Sequence, residues 1–175
     1  MFEKVIVIDD VYNTDEIETL KNQLLQNANW KYSNVSTDSK DATKFFYGIL
    51  KDNTLKEKFI LDFILAANTQ DHSLKLPKNP KRVYLNGQTY GLDGDFHTDC
   101  DLPNYHTLLY MVNSGDISDI GDFQYIDPSN NVVETVPFKS GRFVLFPSDW
   151  KHKGLAPTVK NKFRVTLAYK EVQFL

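Results

Sequence analysis

Apolar positions change their spacing about halfway along the chain. In the first half they recur every three or four residues. Ile17, Leu20 and Leu24 form one such stripe and predict a helix running to about Asn27. Asn13 stands before it as an N-cap, with Glu16 three residues on to close a capping box. Leu55, Phe59, Phe63 and Ala66 form a second stripe, and Thr54 with Glu57 predicts a capping box at its start. Lys4 to Ile8 reads as a short strand, and Leu74 to Arg82, with two prolines and four basic residues, reads as a loop.

Beyond Arg82 the pattern becomes short β-branched and aromatic runs separated by Gly, Pro, Asn and Asp. The predicted strands are Val83–Asn86, Phe96–Thr98, Thr107–Val112, Asp122–Ile126, Val132–Phe138, Arg142–Phe146 and Phe163–Lys170. Strands at this spacing, with helices gathered ahead of them, predict a mainly β, α+β chain built on a sandwich or barrel. That order argues against a βαβ nucleotide-binding fold, and no Gly-rich phosphate loop is present. No repeat or linker divides the chain, so the expectation is a single domain over residues 1–175. Residues 1–81 would form a helical support region and residues 82–175 the β core.

Composition adds little. The 175 residues are 41% hydrophobic and 25% charged, which is ordinary globular usage. No apolar run approaches the ~20 residues needed to cross a bilayer. Met1 to Asp10 turns acidic at Asp9 and Asp10 where a secretory signal would continue apolar, and Cys100 is the only cysteine. The expectation is a cytoplasmic, reducing compartment with no membrane association.

Charge adds more. The net charge of −3 hides two opposed segments: residues 83–135 carry nine acids and no Lys or Arg, whereas residues 136–175 carry eight basic groups and two acids. An acidic run is usually a solvated face. Here it includes His97-Thr98-Asp99, an imidazole and a carboxylate that would share one face of a strand and could share one ion. Asp93, Asp95, Asp99 and Asp101 also invite a calcium loop. The EF-hand register fails, because Thr98 and Asn104 fall where Gly and Glu are needed. The extra acids are expected to line the mouth of the site and favour a neutral or cationic substrate.

Downstream, the apolar run Phe143 to Pro147 and the polar loop Ser148 to Lys151 deliver His152 to the rim of the sheet. Arg164 and Thr166 share one face of the last predicted strand, and Val165, Leu167 and Tyr169 share the other. An arginine pointing into a barrel is costly unless an anion meets it, and a carboxylate fits its planar fork. Two histidines and one carboxylate with open positions suit a non-haem Fe(II) centre. His72 and His106 have no such company and read as structural.

From about Arg82 onward the chain resembles the 2-oxoglutarate- and Fe(II)-dependent dioxygenases, and within them the prolyl-4-hydroxylase-like group. That resemblance rests on His97-x-Asp99, His152 about fifty residues on, Arg164 on a later strand, and Tyr84-Leu85-Asn86-Gly87-Gln88-Thr89-Tyr90. Thr107-Leu108-Leu109-Tyr110-Met111 looks like the next core strand, and Gly141-Arg142-Phe143 like the turn into the distal-histidine strand. It implies a double-stranded β-helix, or jelly roll, with Fe(II) held by His97, Asp99 and His152. It implies 2-oxoglutarate bound by Arg164, with Thr166, Tyr84 and Tyr110 beside it, O2 as cosubstrate and ascorbate as an accessory reductant. The implied reaction couples oxidative decarboxylation of 2-oxoglutarate to hydroxylation of a C–H bond on a protein, prolyl-type, or small-molecule substrate.

Tyr90, Asp122 and Trp150 are the candidate substrate contacts. Arg164 stands where this group commonly has Lys, Gly121-Asp122-Phe123 replaces a Gly-Gly-Glu-Thr turn, and two extra residues separate Tyr90 from His97. Asp99 itself counts against halogenation, since the halogenating relatives carry a small residue there. Two alternatives remain: a nucleic-acid demethylase of the same superfamily, which the acidic balance opposes, and a non-catalytic jelly-roll module. The loops Asn34–Lys44 and Ser114–Gly121, where substrate identity would be set, carry no motif.

Overall fold

β1 (Ile6–Ile8) leads into α1 (Thr14–Gln26), and the expected capping box opens that helix. Asn13 Oδ1 accepts from the Glu16 amide at 3.0 Å, and Glu16 Oε2 accepts from the Asn13 amide at 2.8 Å. Leu20 and Leu24 are its buried face. The computed structural model describes residues 4–35, 37, 40–70, 72–78 and 80–174. Met1 to Glu3 of the leading segment, and Ser36, Asp38 and Ser39 of the loop expected over Asn34–Lys44, lie outside the described residues.

The first half of the chain departs from expectation. A hairpin, β2 (Ala28–Val35) and β3 (Lys44–Leu50), stands where only helical support was expected. β2 is an edge strand in which Ala28, Trp30 and Tyr32 alternate with Asn29, Lys31 and Ser33, and Ala28 and Trp30 pack on the core. The second helix, α2 (Asn53–Thr69), is capped by Asp52, whose side chain accepts from the Leu55 amide, and not by a box at Thr54. Its buried face is Leu55, Phe59, Ile60, Phe63, Ile64 and Ala67, so the stripe is wider than the four positions expected. Finally, β4 (Pro77–Lys78) makes a short ladder inside the expected loop.

The remaining strands are β5 (Arg82–Thr89), β6 (His106–Met111), β7 (Phe123–Asp127), β8 (Val132–Val136), β9 (Phe143–Pro147), β10 (His152–Gly154) and β11 (Phe163–Phe174). They form two antiparallel sheets. The larger runs β1-β9-β6-β11-β5-β3-β2, with β4 also on β11, and the smaller runs β10-β7-β8. This is the mainly β, jelly-roll architecture expected. Phe96–Thr98 is not a strand; only an isolated bridge pairs His97 with His152.

Two cores clamp the large sheet. On its outer face α1 and α2 pack Leu24, Phe59 and Phe63 against Leu108, Tyr110, Phe143, Val165, Leu167 and Tyr169. Between the sheets lie Leu109, Met111, Phe123, Val136, Phe138, Val144, Phe146 and Ala168. Burying a large apolar side chain contributes roughly 1.5–3 kcal/mol, so these layers fix the position of β11 at the centre of the sheet. Asp9 and Arg142 pin β1 to the turn before β9 through two bonds of 2.8 and 2.7 Å. Strand alternation then presents Arg164, Thr166, Ala168 and Lys170 to the space between the sheets.

Candidate active site

Two backbone contacts replace the expected strand at His97. The His97 amide donates to the His152 carbonyl at 3.1 Å, and the His152 amide donates back at 2.9 Å. Two residues on, the Asp99 amide donates to the Ser148 carbonyl at 2.8 Å. His97 and Asp99 therefore converge because their loop is stitched to the segment that carries His152. The convergence expected from strand alternation is present, but its cause is different.

One ligand atom from each of His97, Asp99 and His152 lies within 4.8 Å of the others. His97 Nε2 is 3.5 Å from Asp99 Oδ1, and His152 Nε2 is 3.4 Å from Asp99 Oδ2. Ligands about 2.1 Å from one ion and at about a right angle stand roughly 3 Å apart, so the spacing fits a shared metal. Each Nδ1 lies 2.9 Å from a backbone oxygen, that of Asp95 for His97 and that of Trp150 for His152. A carbonyl only accepts, so each Nδ1 keeps the proton and each Nε2 presents its lone pair to the site. Burial pulls the His152 pKa down, with Asp99 partly opposing, which favours the neutral imidazole a metal requires.

The Asp99 side chain is fully buried, its Oδ2 held by a hydrogen bond and its Oδ1 by ion contacts alone. Thr107 Oγ1 donates to Oδ2 at 2.6 Å, and Lys170 Nζ stands 2.5 Å from Oδ1. Burial pushes the Asp99 carboxyl up, but His152, His97 and the Lys170 ammonium outweigh it and hold it well below the usual carboxylate range. Burial likewise pulls Lys170 down, and Asp99 reverses the direction, so the ammonium stays charged.

Arg164 lines the same cavity as the triad and is 2% exposed. Its Nε donates to the Gly121 carbonyl at 3.0 Å and its Nη1 to Gln88 Oε1 at 2.8 Å. Among the described residues it forms no ion pair with a carboxylate. Burial pulls its pKa down to about 10, with the charge of Asp122 partly opposing. Asn86 Oδ1, in the same wall, is buried with no hydrogen-bond partner among the described residues. A buried guanidinium bonded only to neutral groups, beside an amide with unmet capacity, suits a carboxylate ligand. Gly154 lines that space and leaves it open, whereas Gly121 is required by close approach to the Leu155 and Ala156 backbone. Gly121 has φ +92 and would set a Cβ 2.3 Å from the Leu155 oxygen; a Cβ on Gly154 would lie 2.9 Å from Arg164 Nη1.

His97, Asp99, His152, Arg164 and Thr166 thus meet around one cavity. Others expected beside them do not. Tyr110 points to the opposite face of β6, with its ring 4.5 Å from Phe59 and 4.8 Å from Phe143, because alternation puts Leu109 and Met111 inward. Tyr84 lines a larger neighbouring groove of about 930 Å³ and reaches the site only through Lys170, whose Nζ lies 5.4 Å from its ring centre. Tyr90 is 50% exposed just beyond β5. Trp150 sits in the turn before β10, with its ring 5.8 Å from that of Tyr125.

Among the acids expected at the mouth, Asp101 accepts from the Thr98 hydroxyl at 2.8 Å, and others bond to neighbouring backbone. Asp93, Asp95 and Asp122 accept backbone amides from Ala156, Thr43 and Phe138, so these carboxylates shape loops. Lys170, Thr107 and Gln88 are the site residues missed from sequence. For Lys170 the signal was present: it continues the 164, 166, 168 alternation of β11.

No family model and no curated protein matches the sequence. Solved structures do match. A Pseudomonas putida prolyl-4-hydroxylase superposes with a TM-score of 0.65 at 14% identity, covering 95% of this chain and 91% of that one. A Trichoplax adhaerens prolyl hydroxylase, in complex with a hypoxia-inducible-factor oxygen degradation domain peptide, gives 0.68 at 14% identity, covering 99% and 84%. HygX from Streptomyces hygroscopicus, with nickel and 2-oxoglutarate bound, gives 0.68 at 14% identity, covering 95% and 81%. The fold of this chain is therefore the one found in prolyl hydroxylases and related 2-oxoglutarate–Fe(II) oxygenases.

Proposed function

We propose that this protein is an Fe(II)- and 2-oxoglutarate-dependent dioxygenase that hydroxylates a C–H bond. One observation carries the proposal: a His-Asp-His cluster of metal-ligand geometry shares its cavity with a buried arginine that has no carboxylate partner among the described residues. Fold likeness alone would not carry it, because one fold hosts many functions. The two charged features call for different ligands, a divalent cation and a carboxylate, and 2-oxoglutarate on Fe(II) supplies both at once.

In this proposal His97, Asp99 and His152 hold the metal on one side and leave its other positions open. Arg164 takes the far carboxylate of 2-oxoglutarate, with Thr166 and Asn86 in the same wall to hydrogen-bond it. Fe(II) with 2-oxoglutarate and O2 supplies the oxidising power that couples decarboxylation to C–H hydroxylation. The protein's own contribution is position. The Asp95 and Trp150 carbonyls fix both imidazole planes, Thr107 orients Asp99, and Leu109 and Phe123 keep the cavity wall apolar. The substrate class we favour is a protein side chain of prolyl type or a small molecule. Support for the first comes from the peptide complex of the Trichoplax enzyme.

The test is succinate formation from 2-oxoglutarate under air with Fe(II) and ascorbate, with and without proline-containing peptides. Succinate that requires Fe(II) and rises with a peptide is the expected result. A protein that binds metal yet forms no succinate under any condition would instead be a non-catalytic jelly-roll module.

A further inference from the structure

Lys170 is 8% exposed, and its ammonium lies 2.5 Å from Asp99 Oδ1. An isolated charge in that position would cost several kcal/mol, so the contact with Asp99 is what makes the lysine tolerable there. The backbone is distorted at the same point. The ladder between β11 and β6 loses register between Tyr169 and Val172, and Glu171 adopts φ 56, in the left-handed region. A bulge of this kind re-aims the side chains beside it, and a non-glycine residue at positive φ is strained.

Two bridges hold the strained residue. Lys81 Nζ lies 2.7 Å and Arg82 Nη2 3.1 Å from the Glu171 carboxylate. Arg82 Nη2 also donates to the Asp99 backbone carbonyl at 3.1 Å. The bulge, its clamp and the Asp99 loop are therefore one connected assembly, and Lys170 is at its centre.

We infer that Lys170 is a built-in counter-cation, a positioning residue that holds the Asp99 carboxylate in place without metal and sets how tightly a divalent ion binds. The inference rests on the proposed metal reading of the triad and goes beyond it. Lys170 is not a ligand. Its charge stabilises the metal-free state and repels an incoming dication, so both effects weaken metal binding. Removing it should tighten the site. A residue with a merely structural role would loosen the site when lost, or leave it unchanged.

The test uses Co(II) as a redox-stable probe, with calorimetric titration and thermal melts on the full chain. Lys170→Met is expected to bind Co(II) at least about tenfold more tightly than the parent. It should also melt lower without metal and gain more on adding Co(II). Lys170→Arg, which keeps the charge, should stay close to the parent in affinity. Lys170→Gln gives the same comparison if the Met variant is too unstable without metal to titrate, and refolding of the Met variant on adding Co(II) would support the inference. Equal or weaker affinity in both neutral variants, or failure of both to fold with Co(II) present, would overturn it. If the parent itself binds no Co(II), the metal reading fails, and the inference fails with it.

Discussion

Asp99→Ala is expected to lose more than about 100-fold in affinity for Fe(II) or Co(II), since it removes one of three ligands outright. It should also destabilise the metal-free protein by about 3–5 kcal/mol, because Lys170 is left as a buried ammonium without its carboxylate. The two losses have different causes and can be separated. Asp99→Ala combined with Lys170→Met removes both charges together, so it should recover most of the stability and none of the metal affinity. Calorimetric titration reports the first quantity and urea unfolding the second. A double variant that remains as unstable as Asp99→Ala would place the loss of stability at the Thr107 hydrogen bond instead.

Arg164→Met should show the opposite balance. The guanidinium is buried against Gly121 and Gln88, and burial already pulls its pKa down to about 10. Replacing a buried charge that meets only neutral partners with an apolar side chain of similar length costs little and can stabilise the ligand-free protein. Binding of 2-oxoglutarate should suffer heavily. Losing one partner of a buried charge-assisted contact costs about 2–5 kcal/mol, which corresponds to a KM for 2-oxoglutarate raised by roughly 30-fold to several thousand-fold. Metal affinity without 2-oxoglutarate should be unchanged. A variant with normal KM would remove Arg164 from the proposed cosubstrate site.

What could be read from sequence follows from how locally each feature is encoded. β11 was legible because Val165, Leu167 and Tyr169 alternate with Arg164 and Thr166 over one continuous run. The capping box at Asn13 was legible because both partners lie within four residues. β2 carries a local signal of the same kind, Ala28, Trp30 and Tyr32 alternating with Asn29, Lys31 and Ser33, so its absence from the expected elements has no physical cause in the sequence. His97, Asp99 and His152 do lie together, but their convergence depends on Ser148 and His152 carbonyls about fifty residues away, which no local pattern shows.

Tyr110 was misplaced by one position, and on a strand one position exchanges faces. Asp93, Asp95 and Asp122 cannot be told apart from Asp99 by local sequence. A carboxylate that caps a loop amide and one that faces substrate look alike in sequence, and only the positions of Ala156 and Phe138 separate them. Lys170 lies on the far side of that distinction: its charge was countable, but its partner, Asp99, is reached through the fold.

The central claim is that one cavity holds Fe(II) on His97, Asp99 and His152 and 2-oxoglutarate on Arg164. Its most direct test is an anaerobic titration of the Fe(II)-loaded protein with 2-oxoglutarate, followed by visible absorption. A weak, broad charge-transfer band that saturates with 2-oxoglutarate is the expected result. It should be absent in Asp99→Ala, and Arg164→Met should need far more 2-oxoglutarate to reach it. No band in the parent protein, or an undiminished band in Asp99→Ala, would contradict the account.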